Sequence, residues 1–217
     1  MKLALIGATG FVGKAVLEEA LSRGHDVTAI ARDPERVSVP AALRARLTVV
    51  KGDINDPTNT AGQIRGCDVL ISAYNAGGYQ GAAVYEQYVS GTRHIIDAAR
   101  QAGVRLLAVG GAGSLFVAPG VQLVDTPEFP AEWKDGALGA REALNILQKE
   151  SGLDWTMISP SAMLEPGPRT GQFRLGGDEL LMDGDQPARI SVADLAVALL
   201  DEVEQGQYRN ARFTVGY

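Results

Sequence analysis

The chain has 217 residues, 46% of them apolar, and a net charge of −6. That length suits one α/β domain with an ample core, and an acidic balance with no Lys/Arg cluster excludes a nucleic-acid surface. A single cysteine, Cys67, rules out an intramolecular disulfide and fits a reducing cytoplasm, and no apolar run reaches the ~18 residues of a membrane span.

The first fifteen residues organise the rest. Residues 2–6 are a short apolar run that leads directly into Gly7-Ala8-Thr9-Gly10-Phe11-Val12-Gly13. Val12, Val16, Leu17 and Ala20 then fall at spacings of three and four, so the stretch reads as strand, glycine turn, helix. In the spacing Gly7-x-x-Gly10-x-x-Gly13, the first glycine turns the chain off the strand. The second removes a side chain where a diphosphate approaches, and the third lets the helix pack close to the sheet. The helix N-terminus then offers unpaired N–H groups to the phosphates. A P-loop does not fit: five residues separate Gly7 from Gly13 rather than four, and Lys14 is followed by Ala15, which has no hydroxyl for magnesium.

Residues 26–31 form a second apolar strand, stopped by Pro34. The end of this strand meets the adenosine ribose in dinucleotide folds. Arg32 occupies it, with Arg36 close by and Asp33 adjacent; an arginine offers a charge-assisted fork to a 2′-phosphate, which favours NADP(H) over NAD(H). Residues 34–46 read as a loop with at most a helical turn. A third strand covers 47–50, and Asp53 just beyond it is the candidate to accept the adenine amino group, while Asp56 before Pro57 reads as a turn or cap residue. A short helix spans 58–65. The fourth strand, 67–71, opens at Cys67, which reads as a buried thiol, and its end at Ser72-Ala73-Tyr74 is small enough for a cofactor to lie across. Gly77, Gly78 and Gly81 suggest a flexible tip, a candidate lid.

A long helix over 82–102 is ended by Gly103, and a fifth strand over 104–109 delivers Gly110-Gly111-Ala112-Gly113-Ser114 to the same sheet edge. About twenty irregular residues follow, carrying Phe116, Phe129 and Trp133, apolar surfaces suited to a substrate pocket; a loop this long in a small domain is usually functional. A helix over 133–151, a sixth strand over 153–159 with Pro160 after it, and a second irregular stretch over 165–189 come next. Ser191 reads as the N-cap of the last helix, with Asp194 at capping-box spacing, and 208–215 closes the sheet. The alternation predicts one Rossmann-type domain over 1–217, a doubly wound parallel sheet with helices on both faces, and substrate-side loops at about 111–133 and 160–190. The two histidines, His25 and His94, lack metal-ligand spacing to cysteines or carboxylates, so no metal is expected.

With these residues in place, the chain resembles the atypical short-chain dehydrogenase/reductases, in particular the NADH-flavin reductase-like and NAD(P)H-binding group related to biliverdin-IXβ reductase and the NmrA-like redox sensors. The run Ala8-Thr9-Gly10-Phe11-Val12-Gly13, the pair Gly52-Asp53 and the late stretch from Thr170 to Gly177 carry the resemblance. It implies that Thr9 to Val12 hold the diphosphate, Arg32 the 2′-phosphate, Asp53 with Ile54 the adenine, Ser72 to Tyr74 the ribose side, and Pro160 the nicotinamide side; Gly110 is a further cofactor-binding candidate. Typical members protonate a carbonyl with a Tyr-x-x-x-Lys pair on the helix after strand five. None of the six tyrosines, at 74, 79, 85, 88, 208 and 217, has lysine four residues on, and Ser114 stands near the family's catalytic serine without that partner. The resemblance therefore implies hydride transfer to a conjugated acceptor (flavin, bilin or quinone) that needs alignment more than a tuned acid. The alternative is a non-catalytic NADP(H)-binding redox sensor acting on a protein partner. A monomer or small homo-oligomer is expected in either case.

Overall fold

The computed structural model describes residues 1–77 and 81–217; Gly78, Tyr79 and Gln80 lie outside them. In chain order the elements are β1 (Lys2–Ile6), α1 (Phe11–Ser22), β2 (Asp26–Ala31), β3 (Leu47–Lys51), α2 (Pro57–Ile64), β4 (Val69–Ser72), α3 (Ala82–Ala102) and β5 (Arg105–Val109). They continue with β6 (Phe116–Ala118), β7 (Val121–Gln122), α4 (Lys134–Gln148), β8 (Trp155–Pro160), β9 (Met163–Glu165), β10 (Arg174–Gly176) and β11 (Met182–Asp183). The last are β12 (Gln186–Pro187), β13 (Arg189–Ser191), α5 (Val192–Gln205) and β14 (Ala211–Gly216). Residues 34–46 hold two single-turn stretches, Pro34–Arg36 and Ala41–Arg46.

An eight-stranded sheet runs in the order β10-β14-β8-β5-β4-β1-β2-β3. Its central strands are largely apolar because both faces are covered: every residue of β4 and of β8 is buried. One apolar cluster joins α1 and α5 to the sheet through Val16, Leu17, Leu195 and Leu199. The opposite cluster joins α2, α3 and α4 through Ile64, Ile96, Leu144 and Leu147. Helices thus cover both faces, the Rossmann-like arrangement expected. The strand order reverses between β1 and β4, and it is there that the crevice of such a sheet opens.

The sheet departs from the expected all-parallel form at one edge. β10 runs antiparallel to β14, pairing Arg174 with Gly216 and Gly176 with Thr214, so the stretch over 165–189 is not irregular throughout. The first substrate-side loop likewise folds into the β6–β7 ribbon. Cys67 lies in the turn before β4 rather than inside the strand, and it is half-buried; burial, with Asp68 beside it, pushes its thiol up.

Two expected caps form. The Asp56 carboxylate accepts from the Asn59 amide at 3.0 Å, and the Ser191 hydroxyl accepts from the Asp194 amide at 3.0 Å. Asp194 itself does not close a capping box. Its side chain, one methylene shorter than Glu, turns instead to the strap over 168–172. There it is fully buried and accepts from the Thr170 and Gly171 amides (2.8 Å each), the Thr170 hydroxyl (2.5 Å) and the Tyr217 hydroxyl (2.8 Å). Next to it on the strap, Arg169 forks onto Glu19 of α1 at 2.8 and 2.9 Å. Burial pushes the Asp194 carboxyl up, but the Thr170, Gly171 and Tyr217 donors outweigh it and hold its pKa below the ordinary value. A carboxylate with a depressed folded pKa stabilises above its unfolded pKa and loses that stabilisation as pH falls through the folded one. Asp194→Ala should therefore cost about 2–4 kcal/mol in urea unfolding at pH 7, since several buried donors lose a charged acceptor. The gap between variant and wild type should narrow below about pH 4.

Candidate functional site

The site grows from the contact between the first turn and the neighbouring strand. Gly7 adopts φ +89°, and a Cβ there would overlap the Ala73 carbonyl at the end of β4. A Cβ at Gly13 would enter the Gly7 carbonyl, so the first turn of α1 sits directly on β1. The Gly10 amide donates to Gly7 O at 2.9 Å and closes the turn. A Cβ on Gly10 would meet only Gly7 O, at 3.4 Å, and would otherwise stand in the open cleft above. That is the cradle a diphosphate needs: bare backbone, close approach, and the free amides of a helix start at Phe11, Val12 and Gly13.

The cleft measures about 660 Å³. Its floor is Ile6 to Gly10. The end of β2 contributes Arg32, Asp33 and Arg36; the end of β3, Gly52, Asp53, Ile54 and Asn55; and the end of β4, Ala73, Tyr74, Asn75 and Ala76. Gln87 and Ser90, one turn apart on α3, form the wall. Asp53 is held in place because its carboxylate accepts from the Asn55 amide at 3.0 Å while its carbonyl accepts from the Asp56 amide at 3.0 Å. The Tyr74 ring fills the notch that Gly91 leaves in α3, stands edge-on to Tyr88 at 5.8 Å, and its hydroxyl donates to Gln87 O at 3.0 Å. Burial raises the Tyr74 phenol, with Arg32 pulling the other way and Asp53 adding to the rise. Nine arginines of the described residues sit in ion pairs, from Arg23 with Glu19 to Arg212 with Asp178. Arg32 and Arg36 do not, so two exposed cations face the end of the cleft without a carboxylate to neutralise them.

Of the residues singled out in the sequence, Gly7, Thr9, Gly10, Arg32, Asp53, Ile54, Ala73 and Tyr74 meet at this cleft. Phe11, Val12 and Gly13 begin α1 next to it. Ser72 is buried and faces a small inner cavity behind Tyr74, and Gly110 and Pro160 stand at the ends of β5 and β8, outside the cleft lining. Ser114 is corrected most. It is 3% exposed, its hydroxyl accepts from Arg212 Nη1 at 3.2 Å, and it does not line the cleft. Its role here is to hold a loop, because a buried guanidinium requires acceptors and Ser114 supplies two. Phe116 and Phe129 are half-buried, and Trp133 is 50% exposed.

Sequence reasoning missed Gln87 and Ser90, two of many polar residues on α3. It also missed Arg212 and Asp178. Arg212 Nε donates to Asp178 at 2.6 Å, and the backbone bonds Phe116 N to Asp178 O and Leu180 N to Phe116 O, both 2.9 Å, tie the two substrate-side loops together.

A strand order that reverses over a glycine turn, with unpaired cations at one end of the cleft, defines a nucleotide-binding Rossmann-like domain. The chain belongs to the NAD(P)H-binding family, whose profile it matches over residues 7–203. It is 38% identical to the uncharacterised protein YwnB of Bacillus subtilis (strain 168), over 99% of this chain and 98% of that one. Among solved structures it is similar to a candidate epimerase from Bacteroides thetaiotaomicron (42% identity, TM-score 0.91, covering 100% of this chain and 96% of the other). It is similar also to a candidate NADH-flavin reductase from Streptococcus pneumoniae TIGR4 (33% identity, TM-score 0.86, covering 100% and 99%). Among the described residues no group of His, Cys, Asp and Glu could hold a metal, and no helix is long and apolar enough to cross a membrane.

The two helix-start glycines should fail differently. Gly10→Val places its side chain in the cleft; it should abolish NADPH binding by calorimetry and leave the urea midpoint nearly unchanged. Gly13→Ala collides with backbone and should destabilise by about 1–3 kcal/mol or more.

Proposed function

We propose that the protein binds NADP(H) in this cleft and is a reductase that delivers hydride to a conjugated acceptor such as a flavin, bilin or quinone. The observation that carries the reading is the Gly7–Gly13 cradle at the strand-order reversal with Arg32 and Arg36 unpaired at its ribose end. Thr9 to Val12 cradle the diphosphate, Arg32 takes the 2′-phosphate with Arg36 beside it, and Asp53 with Ile54 borders the adenine. Ala73 and Tyr74 flank the ribose side. Gly110 and Pro160 border the nicotinamide end. When bound, NADPH supplies the hydride; solvent supplies the proton to an acceptor whose ring system spreads the charge. A cytoplasmic setting fits this cofactor and the single free cysteine.

The acceptor side supports a flat apolar partner. Of the eight large apolar side chains exposed among the described residues, six (Val117, Val121, Trp133, Met163, Leu175 and Met182) lie on the two substrate-side loops. Exposed apolar surface gathered in one region marks a place where something binds. A second reading, a non-catalytic sensor of NADP(H), is favoured by one observation. α4 carries no tyrosine, and the Ser114 hydroxyl is engaged by Arg212, so no tuned acid is at hand. The two readings part in one cuvette: NADPH oxidation followed at 340 nm with FMN should proceed for the reductase and stay at background for the sensor. Simple secondary alcohols with NADP⁺ should give traces at most, since a general acid–base group contributes about 10²–10⁴-fold.

The cofactor preference has its own test. A hydrogen bond to a charged group is worth roughly 1.5–3 kcal/mol, so Arg32→Ala should weaken NADPH binding about ten- to a hundredfold and leave NADH nearly unchanged. Equal weakening of both would show that Arg32 contacts a part the two cofactors share.

A further inference from the structure

Two hydroxyls at the upper end of the sheet have no partner. Ser159 on β8 and Thr214 on β14 are register neighbours, both 0% exposed, and neither Ser159 Oγ nor Thr214 Oγ1 has a hydrogen bond. A buried hydroxyl left unpaired costs about 1–3 kcal/mol, and Val would fill the threonine position without that cost. The region is not short of polar pairing in general. Ser161 donates to Val215 O at 2.7 Å, and Ser114 accepts from Arg212.

Their place is specific. Ser159 directly precedes Pro160, and its Oγ lies 3.5 Å from where a Gly110 Cβ would stand. Thr214 faces Gly176 across the β10–β14 pairing, and a Cβ added to Gly176 would sit 3.0 Å from the Thr214 methyl and 3.0 Å from Leu181. The segment that follows β10 forms the roof: beyond the three-residue β10–β14 pairing, 177–181 is held by Arg212 on the Asp178 carboxylate and carbonyl, by two backbone bonds to Phe116 and by the Ala188 amide on Leu181 O at 2.9 Å. Leu175 and Met182 on the roof are exposed, as is Val117 on the adjoining ribbon.

We propose that Ser159 and Thr214 are the polar floor of the acceptor subsite, and that they take the imide edge of a flavin-type ring when the segment over 177–181 lifts. Leu181 packs beside Gly176 and Gly216 at the edge of that floor. A hydroxyl both donates and accepts, so two of them match an edge that alternates carbonyl, N–H and carbonyl. The flat body of the ring meets the apolar side chains of the roof, and the floor beside Gly110 and Pro160 sets it against the nicotinamide side. This inference rests on the reductase reading and names the acceptor class for it.

The test is FMN binding, read by quenching of flavin fluorescence and run beside an NADPH titration and a thermal melt. Thr214→Val and Ser159→Ala should each raise the FMN Kd roughly two- to tenfold, the effect of one neutral hydrogen bond. NADPH affinity should hold, and the melting temperature should stay level or rise. Leu181→Ala should speed FMN association. An FMN affinity unchanged in Thr214→Val overturns the proposal and leaves the pair as structural residues. Wild-type protein that binds NADPH but not FMN overturns it too while the cofactor cleft stands; failure to bind NADPH sinks the cleft reading separately.

Discussion

Everything at the cofactor edge depends on a place with no room for a side chain. The Gly7 backbone lies against the Ala73 carbonyl on one side and against the first turn of α1, at Gly13, on the other. This contact joins β1, β4 and α1 at the point where the strand order reverses. It sets the height of the helix start above the sheet, and so where its free amides point. Close packing makes the arrangement stiff: a single methyl at either position must displace backbone rather than a side chain. Gly10 differs because its vacant side faces the cleft, so the same triplet builds the scaffold at two positions and leaves space for a ligand at the third.

Charge is distributed unevenly over the two ends of the sheet. At the lower end Arg105 is held by Glu202 and Thr156, and Arg209 by Asp154. Flanking α1, Arg23 is surrounded by Glu19, Asp201 and Glu204. Those cations are neutralised and act as structural ties. At the upper end Arg212 ties the two substrate-side loops in the same way. At the cleft Arg32 and Arg36 stand with no carboxylate bound to them, in a chain whose net charge is −6. A protein repelling anions at long range thus keeps a local positive spot for one, which favours a ligand that brings its own shape to the cleft over any stray polyanion.

The sequence revealed most where local chemistry decides structure. The central strands read as apolar runs because both faces are covered, the helices were bracketed by Asp56, Ser191 and Gly103, and the glycine spacing marked the turn before its neighbours were known. It revealed least where the partner is remote. Ser114 looked like a catalytic serine because its meaning depends on Arg212, 98 residues away. Asp194 had capping-box spacing, yet the strap over 168–172 offers it better donors than the helix start does. β10 has only Arg, Leu and Gly to show, and it becomes a strand because β14 presents a free edge. Gln87 and Ser90 became cleft residues through the way α3 crosses the end of β4, which no local pattern encodes.

That last strand has a consequence for life in a crowded solution. Without β10 the row of N–H and C=O groups along β14 would be open, and an open edge invites another chain to add itself. Here the chain covers its own edge with three residues running the opposite way, and Arg174 reaches across to the Tyr217 and Met182 carbonyls, occupying acceptors that a stranger would use. At the other edge β3 places Lys51 at its end, and Arg46 just before it pairs with Asp26. A short antiparallel strand at one margin, and Arg46 and Lys51 flanking the other, make poor templates for edge-to-edge growth.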